Sequence, residues 1–151
     1  MRRVCVIAIA FLAAVAGGGA AGAVGGKGAC SSLTSKEVAA AIGEPVAKTD
    51  SGKSATGALF CNWYGNDTHL FRKGISLIVA TNNVDARYKS YFPFLSKHTR
   101  LSGVGTAAVT DGSSILAKNA RAFIYIHPLF THTTITLAAI KALAIKALAR
   151  A

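Results

Sequence analysis

Apolar and polar positions change their period several times along this 151-residue chain, and each change marks an element. Residues 4–16 are an unbroken apolar run behind Arg2 and Arg3. Small residues follow, with Ala21-Gly22-Ala23 as an A-x-A site, which is the three-part plan of a secretory leader. The run is too short to span a bilayer as a permanent helix and lacks a stop-transfer pattern. Cleavage near Ala23 is expected to leave about 128 residues, enough for one domain with its own core; a retained N-terminal anchor is the rival reading. Residues 24–29 read as a Gly-rich linker and 30–151 as a single exported domain.

Within that domain, Thr34 and Glu37 form a T-x-x-E capping box ahead of Val38, Ala39, Ala40, Ala41 and Ile42. Gly43 ends the helix and Pro45 prevents its extension. Residues 48–57, rich in Ser, Gly and Lys, read as an exposed loop. Alternation over 58–64 puts Leu59, Cys61 and Trp63 on one strand face, and over 74–80 it does the same for Ile75, Leu77 and Val79. Residues 65–68 supply the turn between them, so the pair reads as a hairpin. Val84, Tyr88, Tyr91 and Leu95 recur at helical spacing, and Pro93 kinks or ends that helix. A short extended piece follows Gly103-Val104-Gly105. Two further strands are expected at 114–118 and 121–127, joined by a turn at Asn119, with Asp111-Gly112 turning before them. The segment 133–151 is the longest helix candidate; Leu137, Ile140, Leu143, Ala144 and Leu148 make a stripe of roughly 140°. The order of elements implies an α+β domain: an antiparallel sheet with helices packed mainly on one face.

The cysteines sharpen this picture. Cys5 would leave with the leader, and Cys30 and Cys61 remain as an even pair in an oxidising compartment. A disulfide between them is the default, with two buried free thiols as the alternative. Their spacing matches neither a metal motif nor a redox C-x-x-C pair. Lipidation at Cys30 is disfavoured, because Lys27 stands where a lipobox needs an apolar side chain.

Seventeen Lys and Arg face six Asp and Glu, a net charge of +11 that falls to +9 without Arg2 and Arg3. Such an excess attracts anionic headgroups or acidic envelope polymers. The basic residues are scattered, and no nucleic-acid motif accompanies them, so nucleic acid is not expected as a partner. The C-terminal segment has two readings, a helix packed across the sheet or a membrane-surface helix. Its few basic residues favour packing, so membrane contact is not favoured.

Candidate chemistry is sparse. His127 and His132 lie five apart around Pro128, with no carboxylate or cysteine cluster nearby, so no metal site is assigned. There is no G-x-S-x-G elbow, and Gly103-Val104-Gly105 lacks the strand–helix context of a phosphate loop. No catalytic residue and no cofactor are assigned. The aromatic patch around Pro93 is mostly core, yet Tyr88, Tyr91 and Phe92 are the candidates to line a ligand groove.

The ordered motifs Cys30-x-x-Leu33-Thr34-x-x-Glu37-Val38, Gly43-Glu44-Pro45-Val46, Cys61-Asn62-Trp63 and Leu101-Ser102-Gly103-Val104-Gly105-Thr106-Ala107-Ala108 resemble small exported proteins and lipoproteins of unknown function common in actinobacteria. Related-looking layouts occur in the extracellular sensor domains of some bacterial receptor kinases. The resemblance implies an exported α+β domain with a Cys30–Cys61 bridge and no established enzymatic activity. The chain departs from the lipoprotein members in lacking a lipobox, and it shows no kinase portion.

Together these features give the expectation of a secreted, periplasmic or cell-envelope protein that binds a ligand or an anionic envelope component without catalysis. Two alternatives stand beside it: a small hydrolase acting on an anionic envelope polymer, and a peripheral membrane protein using the C-terminal helix. The hydrolase reading requires titratable groups such as Asp85, His98 and His127 to converge.

Overall fold

The computed structural model describes residues 28–66, 73–95, 97–130 and 135–151. The expected leader, most of the linker, His69, His132 and the end of the 65–68 turn lie outside the described residues. A 3-10 turn at Ala29–Ser31 leads into helix α1 (Ser35–Ile42), then strands β1 (Val46–Lys53), β2 (Leu59–Gly65) and β3 (Gly74–Ala80). Helix α2 (Val84–Ser90) and a 3-10 turn at Phe92–Phe94 follow. Strands β4 (Thr99–Arg100), β5 (Ala107–Thr110), β6 (Ile115–Lys118) and β7 (Phe123–Pro128) precede helix α3 (Leu137–Arg150).

All seven strands form one antiparallel sheet in the order β1-β2-β3-β7-β6-β5-β4. Two meanders, β1-β2-β3 and β4-β5-β6-β7, are thus joined along the β3–β7 seam. At that seam Leu77 stands opposite Ile126 and Ile78 opposite Tyr125. Consecutive strands pair at every step except that from β3 to β4, so most connections are hairpins.

Local signals explain the helix ends. The Thr34 hydroxyl accepts the Glu37 amide at 3.2 Å, and the Glu37 carboxylate accepts the Thr34 amide at 2.9 Å. Gly43 closes α1 in the left-handed region at φ 77°, where its amide donates to the Ala39 carbonyl; glycine takes that conformation without a Cβ penalty. Thr136 caps α3 in the same way, accepting the Ala139 amide at 3.2 Å.

The sheet is covered on both faces, unequally. Helices α1 and α3 lie on the face formed by Cys61, Trp63, Ile75, Leu77, Ile124 and Ile126. Helix α2 lies on the other, against Leu116, Phe123 and Val109. Strand β6 is therefore buried on both sides, with Ile115 and Ala117 turned to the first core and Leu116 to the second. That double burial is why residues 115–117 read as a continuous apolar run and not as an alternation. Cys30 and Cys61 form a disulfide with their Cα atoms 5.1 Å apart, fastening the first 3-10 turn to the centre of β2. The α+β fold, the antiparallel sheet and this bridge agree with the expectation from sequence.

Three local differences are informative. The segment expected as a loop at 48–57 is mainly strand β1, paired with β2 from Val46 opposite Gly65 to Lys53 opposite Leu59. Past Val46 it is exposed on both faces, so it carries no apolar alternation to reveal it. Its order comes from the ladder with β2. As an edge strand, it is protected from further pairing by polar residues such as Lys48 and Lys53. Only Ser54–Gly57 remains a turn, closed by the Gly57 amide on the Ser54 carbonyl at 2.8 Å. The second difference is the start of α3, which is Leu137 and not residue 133. The third is β4, two residues long and too short for any periodic signal.

Candidate ligand groove

Helix α2 is launched from Asn83, whose backbone takes the left-handed conformation at φ 49°. Asparagine tolerates that region better than other non-glycine residues. One and a half turns later Tyr88 points down to the sheet and is buried. The helix cannot run through Pro93, and the chain tightens there into the 3-10 turn. That turn swings Phe92 back over Tyr88, edge to face, with ring centroids 5.1 Å apart. Phe92 in turn meets the His98 ring at 5.1 Å, also edge to face.

Opposite this aromatic wall, β4 and β5 carry Arg100, Ala107 and Val109. Between the walls lies an open groove of about 740 Å³, lined among others by Tyr88, Phe92, His98, Arg100, Ser102 and Thr106. That volume is ample for a small-molecule ligand. Tyr88 and Phe92 thus reach the groove, whereas Tyr91 does not line it. Tyr91 packs between α2 and the sheet, with ring centroids 4.9 Å from Phe123 and 5.5 Å from Tyr125. The sequence offers no ligand-binding signal at Arg100, Ser102 and Thr106, because they belong to a two-residue strand and to turns without periodicity.

The electrostatics of the groove are set by cations. Burial holds the Tyr88 phenol above its ordinary pKa, with Lys118 and Arg100 acting in the opposite direction. The Lys118 ammonium lies 5.6 Å from the centre of the Tyr88 ring and pairs with Asp85. That pairing holds the Asp85 carboxyl below its ordinary pKa. Arg100 is exposed, and its guanidinium makes no hydrogen bond or ion pair among the described residues. The Asp85 carboxylate is already engaged by Lys118.

The groups that a hydrolase would need are each held by a different partner. Asp85 is on Lys118 and His98 is on Phe92. His127 stacks on Tyr125 at 4.9 Å, and its Nδ1 lies 3.0 Å from the Pro128 carbonyl oxygen, which accepts its hydrogen. Burial lowers the His127 pKa, against the opposing effects of that carbonyl and of Asp111. Among the described residues, no three His, Cys, Asp or Glu side chains are grouped to hold a metal ion.

The apolar stripe of α3 faces the sheet: Ile140, Ala144 and Ala147 are fully buried and Leu143 and Leu148 nearly so. Lys146 and Arg150 are turned to Glu37 of α1. No described helix is long and apolar enough to cross a membrane. No family model, curated protein or solved structure matches the chain.

Proposed function

We propose that this chain is an exported domain, secreted or held in the cell envelope, that binds a ligand without catalysis in the groove between α2 and the β4–β5 strands. The observation that carries the reading is the groove itself, open, with an aromatic wall of Tyr88 and Phe92 facing an uncommitted Arg100. A disulfide in a small domain fits an oxidising compartment, as does the resemblance to exported actinobacterial proteins.

Native mass spectrometry of the protein recovered from an export compartment tests it. The expected result is a bound small molecule that is lost in Ser102→Trp or Ala107→Trp, which fill the groove, while the melting temperature stays near that of the wild type. A retained molecule that survives both substitutions would remove the groove as its site.

A further inference from the structure

From the juxtaposition of Arg100 with the Tyr88–Phe92 wall, we infer that the groove takes an anionic amphiphile: one phosphate or carboxylate group attached to an apolar body. This rests on the ligand-binding reading above and names the chemistry of the ligand.

Three features fix the polarity of the site. Arg100 stands opposite Val109 in the β4–β5 ladder, and Val109 opposite Leu116 in the next. Directly paired residues share a face, so Arg100 projects on the side of the sheet covered by α2. Ala107 stands opposite Lys118 by the same rule, which brings a second cation to that face. Lys118 is engaged by Asp85, and Arg100 is left with its full donor fork available. A guanidinium in this state matches the planar oxygens of a carboxylate or phosphate and can hold them by two parallel hydrogen bonds.

The remaining lining divides by character. Phe92, Ala107 and Val109 present apolar surface, as does the Tyr88 ring beside Phe92. Ser102 and Thr106 add hydroxyls near the mouth, where both residues are exposed. A purely apolar ligand would leave Arg100 without a partner as it lost water, and a bare inorganic anion would leave the aromatic wall uncovered. Only a molecule carrying both parts satisfies both walls. The positive charge of the chain favours approach of such an anion.

Isothermal titration calorimetry with hexyl phosphate, 1-hexanol and inorganic phosphate separates the possibilities. The expected result is binding of hexyl phosphate at least about tenfold tighter than either fragment. Arg100→Gln, an exposed substitution that leaves the core untouched, should weaken hexyl phosphate by about tenfold and change 1-hexanol little. Lys48→Gln, the same charge change at the opposite edge of the sheet, should have no effect beyond about twofold. Phosphatidylglycerol vesicles then identify the source: Arg100-dependent capture points to a lipid head group and lack of capture to a soluble amphiphile, and both uphold the ligand class.

Equal affinity for hexyl phosphate and 1-hexanol, with both lost in Ser102→Trp, would overturn the anionic class while leaving the groove as a binding site. Binding of hexyl phosphate that ignores Arg100→Gln and Ser102→Trp alike, or no binding at all, would overturn both.

Discussion

Arg150, in the last turn of α3, donates to both carboxylate oxygens of Glu37 in the first turn of α1, at 2.7 and 2.9 Å. The same carboxylate completes the Thr34 capping box and lies 3.1 Å from Lys146. One acidic side chain therefore caps the first helix and joins it to the last. The Arg150 guanidinium, followed by the Thr34 amide, holds the Glu37 carboxyl well below the usual carboxylate range. Arg150 also reaches the Ser32 carbonyl at 3.3 Å, next to the disulfide-bearing turn.

Glu37→Gln should destabilise the fold by about 1–2 kcal/mol, since it weakens a cap and a two-pronged ion pair at once. A double-mutant cycle with Arg150→Gln, measured by urea denaturation, should show that the two substitutions are not additive. A carboxyl whose pKa is depressed by folding stabilises the folded state above its unfolded pKa and loses that contribution as pH falls toward the folded value. The gap between wild type and Glu37→Gln should thus be constant above about pH 5 and shrink below about pH 4. A gap that grows on acidification would contradict the assigned pairing.

The bridge between Cys30 and Cys61 closes a loop with a sequence separation of 31 residues. On the chain-entropy account its removal should destabilise the domain by about 3.5 kcal/mol. Cys61 is fully buried opposite Leu77, so Cys30→Ala with Cys61→Ala is a gentler replacement than serine. Thermal melting of that double variant, and of the wild type with and without reductant, measures the loss. Coincident melting curves would show that the staple carries none of the stability.

Gly105 is required by both conformation and space. Its φ is 59°, and an added Cβ would run into the Lys118 carbonyl oxygen and the Leu148 side chain. Gly105→Ala should therefore destabilise by about 2–4 kcal/mol, combining backbone strain with overpacking. Gly112 shares the positive φ, at 99°, but its Cβ would meet open space. Gly112→Ala should lose only about 1 kcal/mol, from strain alone. Similar losses at the two positions would show that packing against α3 is unimportant at Gly105.

His127 should titrate below the ordinary histidine value, because burial disfavours its cation more than the Pro128 carbonyl and Asp111 favour it. A histidine lowered by folding leaves stability intact above the unfolded pKa and reduces it as pH falls below about 6.5. Following the ring protons by NMR would give the midpoint directly. His127→Gln should flatten the stability profile between about pH 5 and 6.5, and a midpoint above the ordinary value would reverse the assignment.

What the sequence disclosed depended on how each element is stabilised. The capping box at Thr34, the Gly43 stop and the β2 and β3 alternations rest on local chemistry and on burial of one face, and both leave a pattern. Strand β1 is held by its ladder with Trp63 and Cys61 and by little else, so Lys48-Thr49-Asp50-Ser51-Gly52-Lys53 reads as a loop. The groove followed the same division. Tyr88 and Phe92 belong to the aromatic patch around Pro93, which the sequence displays directly. Arg100 became visible only when the β4–β5 pairing turned it toward them. Tyr91, at equally suitable spacing, faces the rings of β7, because the helix ends just before it and the Pro93 turn carries Phe92 over Tyr88.

The location of the ligand is the claim on which the functional account rests, and a nitrogen–proton NMR titration with hexyl phosphate tests it most directly. The expected shifts centre on Tyr88, Phe92, His98, Arg100 and Ala107, saturate together, and need about tenfold more hexyl phosphate to saturate in Arg100→Gln. Shifts centred instead on Ala40, Ala41, Ala139 and Ala142, which line a furrow between α1 and α3, or scattered over the basic surface without saturation, would contradict it.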